Sequence, residues 1–422
     1  MPESLDDQGM TERAPAVLVW SSLFPSAAQP QAGIFIRERM FRVGKHLPLT
    51  VISPQPWFPL QGLIRRFRPH FRPHAPRREQ QMGIDILRPR FLSVPGLFKQ
   101  FDGFMMALGA LPTVRRMVKA GRVDVIDAHF AYPDGYAAAK VGQWLGQPVT
   151  ITLRGTEVRH ATDPALRPRV LKALRQASKV FSVSSSLRKL AVELGIDGAK
   201  VRVVGNGVDS GRFSVMDKVA ARASLELPSD AKVLITVGGL VERKGFHRVI
   251  ACLPELLKIY PELHYVAVGS TGPEGDYTRE IKALVGQLGV QSRVHVLGAL
   301  PPEEVCIALS AADVSVLATR NEGWANVLLE AMACGLPVVA TDVGGNAEVI
   351  NHPSLGRVVP FGDHAALRDA LAEALALSWD RHAIRRYAEE NDWQLRVDVL
   401  LEEFRRLATT DVGREQRAAH VG

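Results

Sequence analysis

The stretch NEGWANVLLEAMACG, residues 321–335, sets two carboxylates, Glu322 and Glu330, eight positions apart, with Gly323 and Trp324 directly after the first. The preceding VSVLATR reads as a strand running into a loop, so Glu322 is expected at the carboxyl edge of a sheet. From Ala325 the pattern turns helical, with strong helix formers, an apolar face at Val327, Leu328 and Ala331, a stop at Gly335 and Pro337 beyond it. Such a helix points its positive end, and the free amides of Gly323, Trp324, Ala325 and Asn326, toward that same edge. Glu330 then falls roughly one and a half turns further along, where the two carboxylates can reach opposite ends of one elongated ligand. The plain alternative is a helix-start acid and a glutamate on a solvated helix face.

A second stretch suits phosphate. VGGLVERKGF, residues 237–246, follows a strand and carries Gly238, Gly239, Arg243 and Lys244 ahead of another glycine and a helix. Glycines let backbone amides approach a phosphate closely, and paired cations neutralise it. The spacing is neither a Walker motif nor G-x-G-x-x-G, which weakens an ATPase or dehydrogenase reading. No Asp-x-Asp pair occurs, and Cys252, Cys306 and Cys334 lie inside apolar helical patterns without metal-ligand spacing. Buried free thiols are therefore expected, with no disulfide, metal or cofactor.

These motifs need a scaffold that brings loops together. Val- and Ile-rich runs at 16–20, 49–54, 123–130, 148–153 and 179–184 read as strands separated by helical patterns, the first of which begins near Ile34. The second half repeats the style at 232–238, 263–269, 294–298, 314–318 and 337–341. This predicts an α/β chain of two doubly wound Rossmann-like domains facing across a cleft. The expected division is a disordered tail over 1–14, an N-terminal Rossmann-like domain over 15–205 and a C-terminal Rossmann-like domain over 206–378. Residues 379–422 are expected to form a helix and tail bracing the two, with a hinge near Asn206-Gly207.

At 422 residues two domains are the natural count. With 46% hydrophobic residues, no apolar run reaches the ~18 residues a membrane span needs. The acidic start MPESLDDQGMTERAP lacks the basic and apolar regions of a secretory signal, so a cytoplasmic location is expected. The net charge of +8 is unevenly spread. Residues 1–205 hold 30 Lys+Arg against 15 Asp+Glu, a net of +15, leaving 22 against 29, or −7, for the rest. The basic density peaks in RRFRPHFRPHAPRRE, residues 65–79, which suits a nucleic acid, an anionic lipid surface or a phosphorylated acceptor, or is a solvated, partly disordered loop.

Taken together, FPSAAQPQAGIFI, AHFAYPDG, VGGLVERKGF, RNEGWANVLLEAMACGLPVVATDVGGNAEVI and GRVVPFGD resemble the family-4 retaining glycosyltransferases of the GT-B fold, over roughly residues 15 to 400. The resemblance implies a nucleotide-sugar donor whose pyrophosphate is held by Lys244 with help from Arg243, along the Gly238-Gly239 loop. It implies that Glu330 binds the ribose, and that Glu322 with the amides of Gly323, Trp324 and Ala325 holds the transferred sugar. Asn326, Val327 and Leu328 would add amides near the phosphates, and the Leu300 backbone would meet the nucleobase. In the N-terminal domain Gly33 would let the chain pass close to phosphates and acceptor, and His129 would lie near the reacting centre, which makes Glu322, His129 and Lys244 the catalytic candidates. Two departures stand out. Gly238-Gly239 replaces the frequent Gly-Arg, leaving Arg243 to supply the charge. Arg154-Gly155 in TLRGTEV replaces the frequent His-Gly, so Arg154 either meets a phosphate or carboxylated sugar or makes a local ion pair.

The implied chemistry is a front-face transfer in which the departing phosphate oxygen helps deprotonate the acceptor hydroxyl, without an essential metal. The acceptor side suits a lipid-linked or growing cell-surface polysaccharide or glycolipid at an anionic membrane surface, because FLSVPGLFKQFDGFMMALGALP, residues 91–112, follows the basic run. A soluble acceptor, with that stretch packed as core, stays open. A nucleotide-sugar epimerase on the same fold and a noncatalytic anionic-surface binder are the rival readings, and nucleic acid is not expected as a partner.

Overall fold

The computed structural model describes residues 13–30, 32–59, 61–67, 71–72, 75–271 and 275–409. The N-terminal tail before residue 13, parts of the 65–79 run and the residues after 409 lie outside them. The first ten strands are β1 (Val17–Trp20), β2 (Leu49–Ile52), β3 (Gln55–Trp57), β4 (Arg78–Gln81), β5 (Ile84–Leu87), β6 (Arg90–Leu92), β7 (Val125–His129), β8 (Val149–Leu153), β9 (Lys179–Ser182) and β10 (Val201–Val203). They are followed by β11 (Lys232–Val237), β12 (Leu263–Val268), β13 (Val294–Gly298), β14 (Val314–Leu317), β15 (Val338–Thr341) and β16 (Gly356–Val359).

Eight strands form one sheet in the order β10-β9-β8-β7-β1-β2-β5-β4, and six form another in the order β13-β12-β11-β14-β15-β16. Among the described pairings the ladders are parallel except for the β4–β5 hairpin at the edge of the larger sheet. Parallel strands are buried on both faces, which is why β1, β7, β8, β12, β14 and β15 are buried throughout. In the six-stranded sheet the alternation of side chains feeds two cores. Val233 and Ile235 join Leu328, Met332 and Ile384 on one face. Leu234 between them joins Phe246, Leu253 and Leu371 on the other. Burying such a side chain fully is worth roughly 1.5–3 kcal/mol, so each strand anchors helices on both of its faces.

Each sheet changes winding direction once, between β1 and β7 in the first and between β11 and β14 in the second. At such a point the two following loops diverge and leave a crevice at the carboxyl ends of the strands.

The chain forms two compact units, one comprising residues 1–153, 159–181 and 397–422, the other 154–158 and 182–396. In place of the single helix expected within residues 379–422 there are two, Arg381–Glu389 and Trp393–Thr409. They are separated because the backbone between them pairs with Val208, whose amide donates to Asn391 O and whose carbonyl accepts from the Trp393 amide. Asp392 also accepts from the Ser210 amide and hydroxyl. Tertiary pairing at these residues outweighs continuation of the helix.

Candidate active site

The crevice beside β11 and β14 gathers the residues singled out by type. After β11 a 3-10 turn, Glu242–Lys244, leads through Gly245 into the helix Phe246–Ile259. Gly245 has φ 81°, and a Cβ there would lie 1.9 Å from the Ala318 carbonyl oxygen, so only glycine fits where this turn crosses the end of β14. That crossing carries Arg243 and Lys244 to the loop after β14. Lys244 Nζ donates to Glu322 Oε1 at 2.5 Å across 78 residues of sequence. Arg243 donates to the same oxygen at 3.2 Å and to the Asn321 carbonyl at 2.8 Å, and the Thr319 hydroxyl adds a bond at 3.3 Å. The three charged side chains are 11% to 23% exposed. One carboxylate between two cations leaves an excess positive charge within reach of solvent, and an incoming diphosphate can compete for both cations.

The Glu322-Gly323 backbone is clamped on two sides. A Cβ on Gly323 would sit 2.1 Å from Arg154 O, and one on Gly344, at φ 58°, would sit 1.7 Å from Glu322 O. The Trp324 ring lies against Gly205 and Gly345, where added Cβ atoms would approach its carbons to 2.9 and 3.1 Å. Buried Arg154 reaches Asn206 Oδ1 at 3.3 Å, and Asn206 donates to Asn326 Oδ1 at 2.9 Å. Arg154 thus connects by hydrogen bonds to the first residue of the helix Asn326–Ala333. No side chain caps this helix, so its positive end depends on other groups, or on a ligand, for partners. Glu330, on the same helix, and Leu300, before the helix Pro302–Ala311, are both partly buried. Gly238 brings the β11 loop alongside the Lys244 stem, its added Cβ falling 3.5 Å from Lys244 Cδ, whereas Gly239 has only the Ser270 carbonyl within 4 Å of one.

The residues expected from the N-terminal half are placed differently. Gly33 begins the helix Ile34–Val43 at φ 68°, and a Cβ there would be 2.2 Å from Leu23 O, so glycine lets the loop after β1 fold onto itself. His129 ends β7 with its side chain fully buried and Nε2 3.3 Å from Asp127. Burial pushes the Asp127 carboxyl up, but His129, the Thr150 hydroxyl at 2.6 Å and Arg39 outweigh it and hold the group below the usual carboxylate range. Gly33 and His129 lie in the first unit and Arg154 in the second.

Sequence reasoning did not single out Thr319 or the Gly344-Gly345 pair, although the double glycine in DVGGNAEVI was a visible signal, and it read Asn206 only as part of a hinge. It also passed over Asp134, which accepts from the Ser22 amide at 2.5 Å and hydroxyl at 2.8 Å at the other change of winding. Burial pushes the Asp134 carboxyl up to about 7. The three cysteines are free and buried, and among the described residues no cluster of three or more His, Cys, Asp or Glu is arranged to hold a metal. No helix among the described residues is long and apolar enough to cross a membrane.

Within the basic run, Arg72 stacks on Phe58 and Phe71, with its guanidinium 5.7 and 5.6 Å from the ring centres, and donates to Ser93 O at 2.8 Å. The apolar stretch over 91–112 divides between its two readings. Met106, Ala107 and Ala110 are buried, while Phe98, Phe101, Phe104 and Leu108 are exposed.

Residues 217–391 match the family described as glycosyl transferases group 1, and residues 61–212 match glycosyltransferase family 4. The chain is 31% identical over 416 residues, 96% of its length and 97% of the relative's, to the "Putative teichuronic acid biosynthesis glycosyltransferase TuaC" of Bacillus subtilis. It belongs to the group 1, family-4 glycosyltransferases. Among solved structures, this glycosyltransferase is similar to sucrose-phosphate synthase from Thermosynechococcus elongatus, with a TM-score of 0.75, 21% identity, and 94% and 99% of the two chains covered. It is also similar to Anabaena HepE in complex with UDP, with a TM-score of 0.67, 19% identity, and 92% and 99% covered. The glycosyltransferase therefore has the GT-B fold, with two Rossmann-like domains.

Proposed function

We propose that this glycosyltransferase moves a sugar from a nucleoside-diphosphate sugar to an acceptor hydroxyl with retention of anomeric configuration, in building a cell-surface polysaccharide. The observation that carries this reading is the meeting of Arg243, Lys244 and Glu322 at the winding change of the second sheet. The UDP and UDP-glucose complexes of the similar HepE structures support a nucleotide-sugar donor. The teichuronic acid biosynthesis in the name of the Bacillus subtilis relative supports this reading of the product.

In this mechanism the donor's diphosphate takes Lys244 and Arg243 from Glu322 and meets the amide end of the helix Asn326–Ala333. Negative charge grows on the departing phosphate as the anomeric centre becomes oxocarbenium-like, and preformed positive groups at that place lower the barrier. Released from the cations, Glu322 is a hydrogen-bond acceptor for sugar hydroxyls, Glu330 for the ribose, and the Leu300 backbone meets the base. The phosphate oxygen that loses the sugar takes the acceptor proton on the same face. Charge neutralisation by side chains makes transfer independent of a divalent ion. The acceptor is lipid-linked or growing on a lipid, and the protein works at the inner face of an anionic membrane.

The test is hydrolysis of a panel of UDP-, GDP- and ADP-sugars by the purified protein, with product configuration read by NMR and a parallel reaction in EDTA. Hydrolysis of one donor class with retention, undiminished by EDTA, is expected. Failure on every donor, or isomerisation of the donor without transfer, would overturn the assignment.

A further inference from the structure

A hollow of about 680 Å³ lies wholly within the first unit. It runs between the β4–β5 hairpin and the helix Asp102–Lys119, and it is lined by Arg77, Arg78, Arg88, Arg90, Arg116 and Arg122. Its volume falls within the ~300–1,000 Å³ typical of ligand sites. The only acid in its lining is Asp85, already shared between Arg78 at 3.2 Å and Arg122 at 3.4 Å. Buried Arg88 donates to Glu79 at 2.7 Å and to Pro25 O at 2.9 Å. Arg77, Arg90 and Arg116 are exposed and have no acidic partner among the described residues. Guanidiniums crowded around one hollow repel each other, and a planar carboxylate or a phosphate relieves that repulsion while pairing with two donors at once.

The shape narrows the ligand. The lining follows the helix from Gly109 to Ala120, roughly 16 Å at 1.5 Å per residue, longer than a single phosphate or sugar ring. No aromatic side chain lines it, so it offers no stacking platform for nucleic-acid bases. Leu87, Thr113 and Met117 supply a mixed surface suited to the CH faces and hydroxyls of a sugar.

We propose that this groove binds an anionic glycan, a saccharide chain bearing carboxylate or phosphate groups, as the extended part of the acceptor. The inference rests on the glycan-acceptor reading above and adds to it the charge of the acceptor and the place that holds it. It is tested by calorimetric titration of the full-length protein and of a variant with Arg77→Ala, Arg90→Ala and Arg116→Ala. The probes are hexagalacturonate, neutral maltohexaose, hexathymidylate and inorganic phosphate, at low and moderate salt.

Hexagalacturonate is expected to bind, to weaken with salt, and to bind at least tenfold more weakly to the variant, with maltohexaose and inorganic phosphate far weaker. Equal binding by the variant, or of maltohexaose, overturns the proposal. Phosphate binding as tight as the hexamer reduces the groove to a small-anion site, and tighter binding of hexathymidylate reassigns it to nucleic acid. Either result overturns it too. Unchanged donor hydrolysis in the variant is expected. Donor hydrolysis without glycan binding refutes the groove alone, while glycan binding without any donor hydrolysis refutes the transferase chemistry alone.

Discussion

Both sheets reverse their winding at one point, and each point brings a carboxylate against a neighbouring loop, but the two are built differently. Beside β11 and β14, Glu322 is partly exposed and paired with Lys244 and Arg243. Beside β1 and β7, Asp134 is 1% exposed, has no cation at ion-pair distance among the described residues, and is bonded by the Ser22 amide and hydroxyl. The first carboxylate shares its two cations with solvent, where an incoming anion can compete for them. The second could not leave Ser22 without stranding a buried acid, so it ties the loop after β1 in place. Shared topology supplies a crevice twice, and the charge and exposure of the side chains decide whether it is a binding place or a structural tie.

The comparison breaks most readily at Lys244 and Glu322. Lys244→Ala or Glu322→Ala should lower donor turnover by about a hundredfold to a thousandfold, as loss of a preorganised electrostatic group does, with little change in Tm. Near-normal transfer by either purified variant would remove the second crevice's claim to the chemistry. Asp134 offers the converse test through stability. Its carboxyl rises from the ordinary 3.8 to about 7 in the folded protein, so its contribution is full below about pH 4 and is lost as pH rises through 7. Urea midpoints should show that decline, by about 2–4 kcal/mol, in the parent protein but not in Asp134→Asn, whose transferase activity should persist. An identical pH profile in both proteins would refute the raised carboxyl.

Smaller effects sharpen the picture of the clamp. Gly323→Ala must displace the Arg154 carbonyl and should cost about 1–3 kcal/mol in urea unfolding, with weakened donor binding. Full stability in this variant would show that the loop relaxes freely. Arg243→Ala leaves Lys244 in place and should raise the donor KM by roughly tenfold, near the ~1.4 kcal/mol that a single charge-assisted bond supplies. A loss as large as that of Lys244→Ala would make the two cations equal partners.

Much of this was legible in the residues. Runs such as KVLITVG and VSVLATR announced buried parallel strands because Val and Ile cover both faces of each, and VERKG and RNEGW announced a charged site because glycine and charge follow such strands directly. The order of the strands was not legible, since pairing depends on the whole set of helices that must be covered. That order makes β11 and β14 neighbours and joins Lys244 to Glu322. The arginine groove was hidden for a similar reason: Arg77 and Arg78 belong to a recognisable basic run, but Arg116 and Arg122 meet them only through the helix after β6. The break at Asn391 was hidden because a bridge to Val208, far away in sequence, ends the helix there.

By itself the sequence determined the element types, the two-fold repetition of strand and helix and the uneven charge, because these follow from local periodicity and composition. The tertiary structure alone decided which strand ends meet, that Glu322 sits between two cations while Asp134 is buried without one, and that residues 154–158 and 397–409 group with the unit on the other side of their neighbours in sequence. Those outcomes depend on long-range packing and on the desolvation each side chain meets, and neither is encoded in a short stretch of residues.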